Sequence, residues 1–267
     1  MPTRLPALRV PPITFAHRGA RAHAPENTLE AFSLAVRLGA RGLESDVWLT
    51  ADGAVVLDHD GVVGSLLRGR RRRRIADLTR AALPDHIPTL GELYGACGTD
   101  LEISLDVKDP AAIDEVVATA RAAGGAAPER LWLCHPDLEV LRAWRPRFPD
   151  VRLVDSTRLA RIAEGPERRA ATLRSVGIDA LNLHHSDWSG GLTTLVHRFG
   201  VHAFGWDAQF PRVIAELVDM GIDAVYSDHV DRLVDTVERF DTGLGPSVPG
   251  SGPLPPPVAD PPSEGGG

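Results

Sequence analysis

Three acidic residues pose the first chemical question. Glu44 and Asp46 stand two apart in GLESDVWLT (42–50), and Asp106 stands two before Lys108 in LEISLDVK (101–108). Both runs alternate as strands do, and residues two apart in a strand face the same way. Three inward carboxylates on neighbouring strands cannot all ionise in a dry pocket without compensation. A divalent cation with oxygen ligands, Mg²⁺ or Ca²⁺, supplies it. A softer ion would call for cysteine or histidine at ligand spacing, which these runs lack. The plainer reading of the same charges is a structural salt-bridge network with Arg18 and Lys108. Two histidines, His17 after ITFA and His59 after AVVLD, close neighbouring runs. Either one alone reads as an ordinary core or loop residue. Together with a cation, Arg18 and Lys108 they fit phosphoryl chemistry: fixed positive charge holds a phosphate and imidazoles move protons. Lys108 stands out further, because 29 basic residues include this single lysine.

Such side chains need a frame that brings distant strand ends together. Short apolar or β-branched runs alternate with runs of helical period along the chain. Strands are expected at 13–17, 42–50, 54–59, 101–108, 130–135, 151–156, 179–185, 201–206 and 223–228. The run 54–59 follows the turn pair Asp52-Gly53 and reads as a hairpin partner of 42–50. Helices are expected at 27–38, from Pro88 through Leu93, and at 111–123, then up to about 145, 165–176, 191–199, 210–220 and 229–240. That makes eight strand–helix units, and repeated units with right-handed crossovers produce a parallel sheet. Eight of them predict a closed (β/α)₈ barrel, a TIM barrel, in one α/β domain over 13–241. An open doubly wound sheet is the other possibility, but no G-x-G-x-x-G or Walker loop is present. In a barrel the active site lies at the C-terminal ends of the strands. Those ends carry His17-Arg18-Gly19, Asp58-His59-Asp60, His184-His185, Trp206-Asp207 and Ser227-Asp228. Adjacent strand residues face opposite ways, so at least one of His184 and His185 reads as an outward loop residue.

Composition bounds the rest. The chain has 267 residues, 43% hydrophobic and 24% charged, an ordinary soluble balance. Its net charge of −7 argues against a general nucleic-acid binder. No apolar stretch reaches a membrane-spanning length, and no secretory signal is expected at the start. Cys97 and Cys134 are too few for a disulfide framework and read as buried core thiols in a reducing, cytoplasmic setting. Residues 1–12 read as an N-terminal extension, and 242–267, rich in Gly, Pro and Ser, as a disordered tail. Arg68 and Arg70 to Arg74 form a dense basic run. It reads as a solvated loop or as a cationic flap for anionic phosphodiesters or lipid headgroups.

The ordered pattern His17-Arg18-Gly19, Pro25-Glu26-Asn27-Thr28, Ala31-Phe32, Gly39-Ala40, Glu44-x-Asp46, Thr50-x-Asp52-Gly53 and His59-Asp60 resembles the glycerophosphodiester phosphodiesterase family. Ile87-Pro88-Thr89-Leu90, Asp106-x-Lys108, Trp206 and the closing Gly221-Ile222-Asp223-Ala224-Val225-Tyr226-Ser227-Asp228 extend the likeness over about 13–235. The resemblance implies a TIM barrel and metal-dependent hydrolysis of glycerophosphodiesters to glycerol 3-phosphate and an alcohol. It implies His17 and His59 as the acid–base pair and Glu44 and Asp46 as metal ligands. Arg18, with Lys108, would contact phosphate, and Trp206 would form a substrate-facing wall.

The sequence departs from the family at Asp106, where a Glu usually stands. The shorter arm requires a bridging water, a shift in metal preference, or help from Glu102 on the same strand face. Asp207 and Gln209 replace a usual Thr and Asn, departures that bear on the choice of alcohol. Asn27, after a proline at a helix start, reads as an N-cap or as a polar lining of the site. Two other functions are consistent with the same barrel. One is lysophospholipase D-type cleavage of lysophospholipids; the other is an inactive phosphodiester-binding barrel, which Asp106 keeps open. A phosphate-binding isomerase barrel fits poorly, because the ends of strands seven and eight lack its Gly-rich loops.

Overall fold

The computed structural model describes residues 4–64 and 72–241. The expected tail at 242–267 and Arg68, Arg70 and Arg71 of the basic run lie outside the described residues. Eleven strands are present among the described residues: β1 (Ile13–Ala16), β2 (Gly42–Leu49), β3 (Val55–Leu57), β4 (Val62–Val63), β5 (Arg73–Arg74), β6 (Glu102–Val107), β7 (Leu131–His135), β8 (Arg152–Ser156), β9 (Ala180–His184), β10 (His202–Trp206) and β11 (Ala224–Ser227). Eight of them pair in parallel in the cyclic order β1-β11-β10-β9-β8-β7-β6-β2, and β2 returns to β1. The sheet is therefore closed and has the predicted barrel topology. β3 adds to β2 as an antiparallel hairpin, with Trp48 opposite Val56. Arg73 and Arg74 are exposed and pair with Val62 and Val63.

Each barrel strand is followed by a helix: α1 (Leu29–Arg37), α2 (Leu90–Cys97), α3 (Ile113–Ala123), α4 (Leu138–Trp144), α5 (Pro166–Ser175), α6 (Gly190–Arg198), α7 (Pro211–Asp219) and α8 (Val230–Asp241). Their starts follow from local chemistry. Thr28 caps α1 by accepting from the Ala31 amide, and Thr89 and Glu92 form a reciprocal capping box on α2. Pro166 and Pro211 open α5 and α7, where a missing N–H costs nothing. One apolar face of each helix then packs on the barrel; Ala31, Phe32 and Ala35 do so for α1. Burying Phe32 completely contributes about 1.5–3 kcal/mol. No helix among the described residues is long and apolar enough to cross a membrane.

The barrel interior is filled rather than hollow. Ile13, Phe15, Trp132, Cys134, Val154, Phe204 and Tyr226 form its own cluster, with Phe15 and Tyr226 stacked at 4.6 Å. Gly42 leaves room for that stack, since a Cβ there would lie 2.5 Å from the Phe15 ring. Below this layer Glu102 accepts from Arg9 (2.8 Å), Arg130 (3.2 Å) and Trp132 Nε1 (2.6 Å). Asp223 accepts from the Arg9 amide, the Ala203 amide and His197 Nε2 at 2.7–2.8 Å. The segment before β1 is thereby tied across the N-terminal ends of the strands. Both cysteines are free; Cys134 is buried as expected, whereas Cys97 is only half-buried.

Candidate active site

At the opposite end of the barrel the strand ends enclose a cavity of about 610 Å³. One wall carries His17, Arg18, Glu44, Asp46, Asp106 and Lys108; the other carries Ser156, Thr157, Arg158, Arg161, Asn182, Trp206, Asp207 and Tyr226. Strand alternation puts Glu44 and Asp46 on the inner face, and parallel register sets Asp46 beside Asp106. Carboxylate oxygens of Glu44, Asp46 and Asp106 lie within 4.8 Å of one another.

The electrostatics of this trio are unbalanced. Burial, reinforced by Asp46 and Asp106, pushes the Glu44 carboxyl up to about 8, although His17 opposes this. Burial also raises Asp46, against the pull of Lys108 and Arg18. Lys108 Nζ bridges Asp46 Oδ1 (2.9 Å) and Asp106 Oδ2 (3.1 Å), so one cation serves two anions. Asp46 Oδ2 is buried without a hydrogen-bond partner; Arg18 Nε, at 3.5 Å, is likewise unpartnered. An orphaned buried oxygen among three converging carboxylates is the donor set of a hard divalent cation, and the residues present fit one. Glu102 does not belong to it. That side chain shares the face of Asp106 but sits at the other end of β6, satisfied by Arg9, Arg130 and Trp132.

The turn after β1 shapes the remaining wall. Arg18 has φ +52°, and its amide donates to Glu44 Oε2 at 2.9 Å. Its guanidinium reaches Glu26 at 3.2 Å. Gly19 follows at φ +78°, where a Cβ would lie 2.8 Å from Ala31, so only glycine lets α1 approach. His17 Nδ1 meets Asp228 Oδ1 at 2.5 Å, and Nε2 lies 3.8 Å from Glu44 Oε2. Burial lowers the His17 pKa, but Glu44 and Asp228 outweigh it and the net shift is upward. His59 differs from the other expected residues in not lining the cavity. It stands 41% exposed on the turn after β3, with Nδ1 on Asp60 at 2.8 Å. The neighbouring Asp58 amide donates to the Asp46 carbonyl, which ties that turn to the carboxylate strand.

Other expectations meet mixed outcomes. Thr28, not Asn27, is the N-cap of α1. Asn27 is instead buried at φ +54° and accepts from Ser45 Oγ at 2.7 Å. Trp206 lines the cavity, edge-on to His184 at 4.6 Å. His184 binds Asp207 and Ser186, and His185 begins a short turn outside the cavity lining. Three non-glycine residues have positive φ among the described residues, Arg18, Asn27 and Asp207, and two of them line the cavity. Sequence reasoning gave no role to Asp228, Asn182, Arg158 or Arg161. Asp228 stood out as a polar strand end without a role, and Asn182 could have been found by its position inside a predicted strand. The two arginines carry no such signal.

Residues 17–232 match the Glycerophosphoryl diester phosphodiesterase family. The chain is 29% identical to Probable glycerophosphodiester phosphodiesterase 2 of Mycobacterium tuberculosis, over 84% of this chain and 90% of that protein. The crystal structure of glycerophosphodiester phosphodiesterase from Thermotoga maritima superposes with a TM-score of 0.71 at 25% identity, covering 84% of this chain and 97% of that one. A phosphodiesterase of Oleispira antarctica, in complex with the product sn-glycerol-3-phosphate, shares the fold with a TM-score of 0.71 at 21% identity, covering 85% and 97%.

Proposed function

The chain belongs to the glycerophosphoryl diester phosphodiesterase family, and from that premise we propose that it hydrolyses glycerophosphodiesters to glycerol 3-phosphate and an alcohol, with a divalent cation and two proton-transferring histidines. The observation that carries this reading is the convergence of Glu44, Asp46 and Asp106 within 4.8 Å, beside Arg18, Lys108 and His17 in one cavity. The product bound by the Oleispira protein supports a glycerol 3-phosphate end for the substrate.

Glu44, Asp46 and Asp106 would hold the cation. When bound, Mg²⁺ or Ca²⁺ supplies Lewis-acid stabilisation of charge on the phosphoryl oxygens. Arg18 Nε, buried and unpartnered, donates to a non-bridging phosphate oxygen and stabilises the charge that grows there. Lys108 bridges Asp46 and Asp106 and holds the two carboxylates in place. Asp228 fixes the His17 ring through Nδ1, so the proton exchanged with substrate is carried at Nε2. His59, anchored through Nδ1 by Asp60, offers its own Nε2 from the mouth. One imidazole takes the proton of the nucleophile and the other protonates the departing alcohol oxygen; where the nucleophile is the neighbouring glycerol hydroxyl rather than water, the cyclic phosphate formed is then opened by water to glycerol 3-phosphate. Trp206 walls the alcohol side.

The test is release of glycerol 3-phosphate from glycerophosphodiesters with added Mg²⁺ or Ca²⁺ and again with chelator, alongside His17→Ala and His59→Ala. Metal-dependent release lost in both variants is expected. No release by folded protein with either metal, or full activity in either variant, overturns the reading.

A further inference from the structure

We propose that the cavity wall opposite the carboxylates is a subsite for a negatively charged group on the departing alcohol. The favoured substrates are then glycerophosphodiesters whose alcohol bears a carboxylate or a second phosphate. The proposal rests on the hydrolytic reading above and specifies its substrate class.

The turn after β8 sends two guanidinium groups, Arg158 and Arg161, into the cavity lining. Arg158 is held in a fork by Asp187, at 2.7 and 3.3 Å, and its guanidinium lies 5.7 Å from the Trp206 ring centroid. A quaternary ammonium such as choline would seek that aromatic face. Here a fixed cation already covers it. Arg161 is exposed on its solvent side and has no carboxylate partner among the described residues, so its charge is available to a ligand. The single carboxylate on this wall, Asp207, is engaged by His184 (3.2 Å) and Gln209 (3.0 Å). Between the arginines and the strand ends, Asn182 is buried; its Nδ2 donates to Ser156 Oγ at 3.2 Å while its Oδ1 has no partner. That oxygen is an acceptor for an alcohol hydroxyl. The wall thus offers a hydroxyl-binding carboxamide below and a free guanidinium above, which repels a cation and pairs with an anion.

The experiment compares kcat/KM, at saturating Mg²⁺ or Ca²⁺, for four glycerophosphodiesters. Their alcohols are choline, glycerol, glycerate and glycerol phosphate, and the last two separate a carboxylate from a second phosphate. At least one anionic substrate is expected to exceed the choline compound by about tenfold or more, the scale of one charge-assisted contact. Arg161→Gln should collapse that ratio to within about twofold, and Arg161→Glu should bring it below one. Arg161 is a surface side chain, so an unchanged melting temperature shows that neither variant misfolds. A wild-type preference for choline, or a ratio unmoved by Arg161→Gln, overturns the proposal alone. No turnover of any of the four overturns the hydrolytic reading and the proposal with it.

Discussion

Asp228 makes one contact that decides what His17 can do. Removing its charge while keeping its shape leaves the ring without a fixed tautomer. Asp228→Asn is expected to lower kcat by about 10–100-fold with little change in KM, the usual cost of losing an orienting partner; steady-state kinetics check it. At the carboxylate trio, a ligand that binds only the folded state raises its stability. Mg²⁺ or Ca²⁺ should therefore raise the melting temperature of the native protein, and Asp46→Asn should abolish most of that rise. The trio was legible in the sequence because strand alternation and neighbouring strands suffice to gather it. Asp228 was visible as a polar strand end, but its pairing with His17 joins residues 211 apart, which no local spacing encodes. Glu102 misled for a related reason: period two gives the face of a strand but not the height along it.

Elements were easier to read than their boundaries. The barrel strands and most helices lie within one or two residues of the expected ones, since apolar periodicity reports burial directly, whereas α2 runs on to Cys97 and the short β4–β5 pair was not expected. Which residue caps α1 was not legible. The choice of Thr28 over Asn27 turns on the left-handed backbone of Asn27, set by the fit of the preceding turn against Ser45. Two substitutions probe this scale. Thr28→Ala removes a cap bond and should cost about 1 kcal/mol in denaturant unfolding. Gly42→Ala forces a methyl against the Phe15 ring and should cost about 1–3 kcal/mol, since a filled barrel core cannot yield freely.

For the molecule as a whole, Asp223 ties the start of β11 to β10, α6 and the segment before β1. Burial favours its neutral form, but hydrogen bonds from His197 and the Ala203 amide, with the His202 ring 3.6 Å away, prevail and hold the carboxyl well below the usual range. A lowered folded-state value contributes stability above the unfolded value of about 3.9, and that contribution is lost as pH falls below it. Asp223→Asn should be less stable than the native chain at pH 7 by about 3–5 kcal/mol. The gap should narrow as pH drops from about 4 toward 2, measured by urea unfolding across that range. The seam where β1 meets β11 has a further consequence. His17 belongs to the first strand and its partner Asp228 follows the last, so the pair exists only when the ring of strands has shut. A chain cut before β11 would lack the carboxylate that orients the His17 ring. If His17 moves protons as proposed, a chain split after β10 should regain turnover only when the missing piece is supplied in trans.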